Sequence, residues 1–71
     1  MKLSKYLKRV RKQANMTQEE FARHLGISRT AYCQIETGKR TPMIKTISAI
    51  SKYCGANTKE IYEMLEENKI E

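Results

Sequence analysis

The 71-residue sequence has no long apolar run and only two cysteines. None of its apolar stretches is long enough to span a membrane, and no apolar segment follows the basic N-terminus as it would in a signal peptide. Cys33 and Cys54 do not have the spacing of metal ligands. These absences predict a cytoplasmic protein with reduced thiols and without a metal site.

Arrangements of residues that perform catalysis are lacking as well. His24 is the only histidine, and we expect it on the outer side of a helix without a partner. Glu66 and Glu67 are interpreted as a solvated helix end and not as a catalytic carboxylate pair. We therefore expect neither enzyme activity nor a cofactor.

Strand-like alternation of apolar and polar residues is not found, and neither are repeats or low-complexity segments. Apolar residues recur instead at helical spacing in five short segments. A chain of this length buries only one small core. The sequence therefore predicts a single all-α domain of five helices over residues 1–71.

Capping and turn residues predict where the first two helices lie. The first helix is expected to end at Asn15. Its apolar stripe consists of Leu3, Tyr6, Leu7, Val10 and Ala14. Thr17 and Glu20 match a capping box at the start of the second helix, and Gly26 is expected to end it. The inner face of the second helix consists of Phe21, Ala22 and Leu25.

The other boundaries follow from the same kinds of residue. Ser28 is a good cap for the third helix and Gly38 a stop, and the inward positions are Ala31, Tyr32 and Ile35. The fourth helix, closed by Gly55, has its apolar spacing at Met43, Ile47, Ile50 and Cys54. Asn57 and Glu60 form a second capping box before a fifth helix, whose inner face holds Ile61 and Leu65.

The balance of charge is strongly basic, with 14 Lys and Arg residues against 8 Asp and Glu residues. Residues 1–15 contain six basic residues and no acid, whereas residues 58–71 contain five glutamates and two lysines. This distribution points to a polyanion as the partner of one end, although a basic face is as often an ordinary solvated surface.

Residues 18–37 have what two helices need in order to cross at a tight turn. Ala22 is small where the helices meet, Gly26 permits the turn, and Ile35 ends the apolar stripe of the third helix. Its outward face stays free, with Arg29, Thr30, Cys33, Gln34 and Thr37. A free face with a projecting N-terminus fits the major groove of DNA.

The stretch TQEEFARHLGISRTAYCQIETGKRTP resembles the phage-repressor type of helix-turn-helix protein, the Cro/cI-like or xenobiotic-response-element family. The resemblance extends to Arg11 upstream and to the closing helices. It implies a lambda-repressor-like domain that binds double-stranded DNA. Three positions depart from the family pattern: Tyr32 replaces a β-branched aliphatic residue, Met43 a capping serine and Cys54 a leucine.

The resemblance also implies roles for individual residues. Gln18 would contact a phosphate and brace a side chain on the third helix, and Ser28 would cap that helix close to the DNA backbone. Lys39 and Arg40 would hold neighbouring phosphates. Base-edge contacts would come from Arg29, Thr30, Cys33 and Gln34, because Arg pairs with guanine and Gln with adenine.

Plainer interpretations stand beside these roles. Any of the DNA-facing residues could be an ordinary solvated side chain. Cys33 could merely permit close approach, or it could sense oxidation. Arg11 and Glu36 look like surface residues, but the resemblance implies a structural ion pair between the first and third helices.

Two function classes follow. The first is a transcriptional regulator that binds an inverted repeat as a homodimer, with an interface involving Ile44, Tyr62, Ile70 and Tyr53. The second is an antitoxin-type protein that binds a toxin through the fifth helix and residues 68–71 and also regulates its own promoter. Binding of anionic membrane through residues 2–12 is a weaker alternative, because the apolar stripe of that helix is needed for the core.

Overall fold

The computed structural model describes residues 2–66, which form five α-helices and contain no strand. The helices are α1 (Lys2–Gln13), α2 (Gln18–Leu25), α3 (Arg29–Glu36), α4 (Ile44–Cys54) and α5 (Thr58–Glu66). The all-α, five-helix prediction is confirmed. The predictions made for Glu67, Ile70 and the rest of residues 68–71 lie outside the described residues.

One apolar cluster joins all five helices. Helix α3 packs on α2 and on α1. Helix α4 packs on α2, helix α5 packs on α1, and α4 and α5 pack against each other. The cluster consists of Leu3, Leu7, Phe21, Ala22, Leu25, Tyr32, Ile35, Ile47, Ile50, Ile61 and Leu65. Phe21 lies among aromatic side chains, with its ring centre 5.3 Å from that of Tyr32 and 5.1 Å from that of Tyr53, both edge-to-face.

The predicted helix caps are present. The Glu20 amide donates to the Thr17 hydroxyl at 3.1 Å, and the Thr17 amide donates to the Glu20 carboxylate at 2.8 Å. Asn57 and Glu60 form the same reciprocal pair, at 2.8 and 3.1 Å. Because these bonds satisfy amides that a helix start leaves unpaired, they fix where α2 and α5 begin.

Two details of the apolar pattern are wrong. Ala14 is exposed and lies beyond the end of α1 at Gln13, because the chain turns there with Asn15 in a left-handed conformation at φ 58°. Met43 is not part of the inner face of α4: it precedes Ile44, makes no side-chain cap and is 76% exposed. Helical spacing alone misplaced both residues, because each lies outside its helix.

No helix within residues 2–66 combines the length and the apolar character needed to cross a membrane.

The Ser4 hydroxyl is a weak point of the core. The residue is 5% exposed, and within residues 2–66 its Oγ has no hydrogen-bond partner. Burying an unpaired hydroxyl costs free energy, and alanine also favours a helix interior. We expect Ser4→Ala to raise the free energy of unfolding by about 0.5–1.5 kcal/mol.

Thermal unfolding followed by circular dichroism measures this effect. The matched control is Ser51→Ala, because the Ser51 hydroxyl donates to the Ala56 carbonyl at 2.7 Å and so has a partner to lose. Ser51→Ala should lower the midpoint of unfolding. A lower midpoint for Ser4→Ala would mean that its hydroxyl is satisfied in solution.

Candidate nucleic-acid interface

The turn between α2 and α3 sets the angle at which α3 projects. Gly26 closes α2 with φ 74°, a left-handed conformation that glycine adopts without steric cost. The Ile27 amide then donates to the Ala22 carbonyl at 3.0 Å, which satisfies a carbonyl at the helix end. Ala22 is itself 1% exposed. Ser28 starts α3 directly afterwards, its hydroxyl accepting from the Ala31 amide at 3.0 Å.

The outer face of α3 carries the residues expected to contact bases. Arg29 and Thr30 are exposed in the first turn, next to the exposed Ser28. Cys33 and Gln34 follow one turn later and are half-buried. The buried residues of the same helix, Tyr32 and Ile35, are on the opposite side, within the core. One continuous polar face therefore remains at the surface.

A basic loop follows α3. Gly38 turns the chain with φ 81°, and its amide donates to the Ile35 carbonyl at 3.1 Å. The amides of Lys39 and Arg40 both donate to the Gln34 carbonyl, at 2.8 and 3.2 Å. These bonds fold the loop back onto the end of α3, and both cationic side chains are exposed there.

A buried carboxylate lies behind this face. Glu36 is 8% exposed, and its two oxygens accept four hydrogen bonds. Arg11 donates from Nε at 2.8 Å and from Nη2 at 3.3 Å. The Tyr32 hydroxyl donates at 2.6 Å and Gln18 Nε2 at 2.8 Å. Arg11 also donates to the Met16 carbonyl at 2.9 Å, so it ties the connection between α1 and α2 to the same cluster.

The hydrogen bonds to Glu36 determine its protonation. Burial by itself would raise the pKa of the Glu36 carboxyl, but donation from Arg11, Tyr32 and Gln18 outweighs burial and holds the pKa below its ordinary value. The pKa of Arg11 is raised, chiefly by its hydrogen bond to Glu36. Burial and the bond to Glu36 raise the pKa of Tyr32. The carboxylate is thus held ionised, with neutral Tyr32 as a donor.

Gln18 connects this cluster to the outer face of α3. It is the first residue of α2, and its side-chain oxygen accepts a hydrogen bond from the Cys33 thiol at 3.1 Å. The sequence pattern placed Gln18 and Cys33 at the interface as separate contacts. The resemblance also implies that Gln18 braces a side chain on the third helix, but it identifies neither Cys33 as that side chain nor the Tyr32 hydroxyl as a partner of Glu36. The spacing of Tyr32 and Glu36, one helical turn apart, was the one available signal.

Comparison with known proteins identifies the family. A helix-turn-helix family model matches residues 7–61. The chain is 39% identical over 56 residues to the HTH-type transcriptional regulator MJ0272 of Methanocaldococcus jannaschii, covering 79% of this chain and 85% of that protein.

Two bacterial relatives extend the comparison. Over 48 residues the chain is 48% identical to the HTH-type transcriptional regulator YqaE of Bacillus subtilis, covering 68% of this chain and 41% of YqaE. It is 34% identical over 61 residues to control protein C.MunI of a Mycoplasma species, covering 84% of this chain and 82% of C.MunI. No solved structure matches the chain significantly. The family match, the five helices and the free face of α3 agree: the chain belongs to the Cro/cI-type helix-turn-helix family of DNA-binding transcriptional regulators.

Proposed function

We propose that this protein binds a short inverted-repeat operator as a homodimer, with α3 of each copy in the major groove. The observation that carries the proposal is the polar face of α3, which begins with exposed Arg29 and Thr30 and is followed by the exposed cations Lys39 and Arg40. A face of this size and charge suits base edges flanked by phosphates.

Each side chain has a task suited to its chemistry. Arg29 pairs with a guanine edge and Gln34 with an adenine edge, while Thr30 and Cys33 can meet a thymine methyl group or stay neutral. Lys39 and Arg40 bind phosphates after the end of α3 and release counterions. Gln18 approaches the DNA backbone with its side-chain amide. The capped start of α3 at Ser28 approaches the backbone as well.

The dimer would use the apolar residues left outside the core. Met43 and Ile44 are each 76% exposed at the start of α4, Tyr62 is 42% exposed on α5, and Tyr53 is 38% exposed. One copy covers only a few base pairs, and a second copy doubles the contact. The free thiols of Cys33 and Cys54 are compatible with work in the reducing cytoplasm.

The decisive experiment is selection from a random duplex library, followed by sequencing and light scattering of the complex. We expect an enriched inverted repeat with half-sites about one helical turn apart, bound by two copies of the chain. A monomer bound to a site without symmetry would contradict the dimer. Absence of any enriched sequence would contradict specific binding.

Co-purification experiments test the antitoxin alternative. Exposed Tyr62 beside Glu63 on α5 is a surface that a different protein could also use. Co-purification of a single unrelated protein, displaced by Tyr62→Ala and not by Arg29→Ala, would favour that alternative. Retention of self-association without any such partner would favour the homodimeric regulator.

A further inference from the structure

The side-chain amide of Gln18 is held at both of its ends. Its nitrogen Nε2 donates to Glu36 Oε1 at 2.8 Å, and its oxygen Oε1 accepts from the Cys33 thiol at 3.1 Å. The two partners come from the same helix, α3, while Gln18 begins α2. The amide therefore bridges the two helices of the helix-turn-helix unit.

The chemistry of the partners allows only one orientation of the amide. The ionised Glu36 carboxylate can only accept hydrogen bonds, so it requires the NH₂ end. The Cys33 thiol acts as the donor, so it takes the oxygen end. A flipped amide would place its oxygen against a carboxylate, lose the bond to Glu36 and keep only a weak N–H···S contact with Cys33. One hydrogen of Nε2 is then left over, because an amide NH₂ carries two donors.

The Glu36 carboxylate is itself held in place by further hydrogen bonds. Its other oxygen, Oε2, is held by Arg11 Nε at 2.8 Å and by the Tyr32 hydroxyl at 2.6 Å. The side chain of Glu36 is 4% exposed and that of Arg11 is 13% exposed, so water competes little for these bonds. The nitrogen end of the Gln18 amide is thus bonded to a carboxylate that other hydrogen bonds hold in place.

We propose that Cys33 and Glu36 are positioning residues for DNA binding, which hold the Gln18 amide so that its remaining N–H binds a phosphate oxygen. The inference rests on the proposed DNA-binding function and deepens it. It assigns to Cys33 a role on Gln18 in place of a reading role on a base, because the thiol hydrogen is already committed.

The two roles of Cys33 predict different results. If Cys33 acts through Gln18, its loss weakens a phosphate contact, which is the same for every base sequence. If Cys33 reads a base, its loss changes the preference at one position of each half-site. The difference is measurable without knowledge of the bound geometry.

A double-mutant cycle tests the proposal, with affinities measured on the selected operator for wild type, Gln18→Ala, Cys33→Ala and the double variant. We expect Cys33→Ala to weaken binding by about 3- to 10-fold per half-site, the usual effect of one hydrogen bond. In the Gln18→Ala background the same change should have no further effect. Cys33→Ser, which keeps a donor, should restore most of the affinity lost in Cys33→Ala.

Each other outcome overturns the proposal. Additive losses in the double variant, or a shifted base preference in Cys33→Ala, would assign Cys33 a contact of its own. Unfolding does not mimic the effect, because alanine suits a helix and midpoints of unfolding are measured for all four proteins. If wild type binds the operator and the cycle is additive, only the positioning role is lost. If wild type enriches no duplex, the proposed function is lost with it.

Discussion

Replacing Glu36 with alanine should lower the free energy of unfolding by about 2–4 kcal/mol. A domain of this size loses roughly 4–8 °C of its unfolding midpoint for each kcal/mol. The midpoint should therefore fall by roughly 10–30 °C. Thermal unfolding followed by circular dichroism measures the shift.

The cost is large because one change removes the acceptor of four hydrogen bonds, which come from three side chains. Arg11, Tyr32 and Gln18 all donate to the Glu36 carboxylate. The guanidinium of Arg11 is left nearly buried beside an empty space, and an unpaired buried cation costs more than the ion pair itself contributes. Tyr32→Phe removes only one of these donors and should cost less, about 0.5–1.5 kcal/mol.

An exposed ion pair provides the control. Arg23 and Glu19 lie 3.8 Å apart on α2, with side chains 73% and 68% exposed. Exposed pairs of this kind contribute little, so Glu19→Ala should leave the midpoint nearly unchanged. An equal loss in Glu19→Ala and Glu36→Ala would mean that burial of the carboxylate does not govern its effect.

The pH dependence has a definite sign. Because the folded state holds the pKa of Glu36 below its ordinary value of 4.5, the stabilisation is complete above that pH and is lost as pH falls through the lowered pKa. The difference in midpoint between wild type and Glu36→Gln should therefore shrink as the pH falls below 4.5 and through the lowered pKa of Glu36. A constant difference would contradict an ionised Glu36.

Local signals predicted where α2, α3 and α5 begin. Thr17, Ser28 and Asn57 each cap the helix that their sequence context suggested. Such caps depend on residues at most three positions apart, so the chain alone specifies them. Glycine at a helix end acts just as locally, and Gly26 and Gly55 take the left-handed conformation there.

The cluster around Glu36 depends on a different kind of information. The hydrogen bond between Gln18 and Cys33 joins residues 15 positions apart, and its existence depends on how α2 crosses α3. Residue types and spacing do not fix that crossing to within a hydrogen-bond length. Family resemblance suggests the pairing of Arg11 with Glu36, but the family pattern has an aliphatic residue in place of Tyr32 and so does not predict a hydroxyl donor there.

The cluster relates stability to binding. Glu36 holds Arg11 and Tyr32 on its inner side and Gln18 on the side that leads to the outer face of α3. Substitutions there should alter both properties, whereas substitutions at the exposed residues Arg29 and Lys39 should alter binding alone. Those two positions are therefore the cleanest tests of the docking model.

The substitutions Arg29→Ala and Lys39→Ala should impair DNA binding in different ways. Arg29 is exposed in the first turn of α3, the end that we propose enters the groove. Its guanidinium can pair with a guanine edge, and such a pair discriminates between bases by about 1–3 kcal/mol. Arg29→Ala should weaken binding to the best operator by roughly 5- to 150-fold per half-site and flatten the preference at one position.

Lys39 lies beyond the end of α3, where Gly38 has turned the chain and the loop is folded back on Gln34. Its ammonium is expected to reach phosphate and not bases. Lys39→Ala should weaken binding to all sequences nearly equally. For a wild-type dimer that neutralises about three to five phosphates per half-site, the slope of log K against log salt is roughly −5 to −9, and Lys39→Ala should reduce its magnitude by about one per site.

Both variants are titrated against the operator, against a panel of single-base changes and over a range of salt concentrations. Since both side chains are exposed, neither variant should change the midpoint of unfolding by more than about 2–4 °C, the effect of an ordinary surface substitution. The orientation proposed for α3 is wrong if Arg29→Ala loses affinity uniformly while Lys39→Ala changes which base is preferred. That pattern would place the loop in the groove and the start of α3 on the backbone.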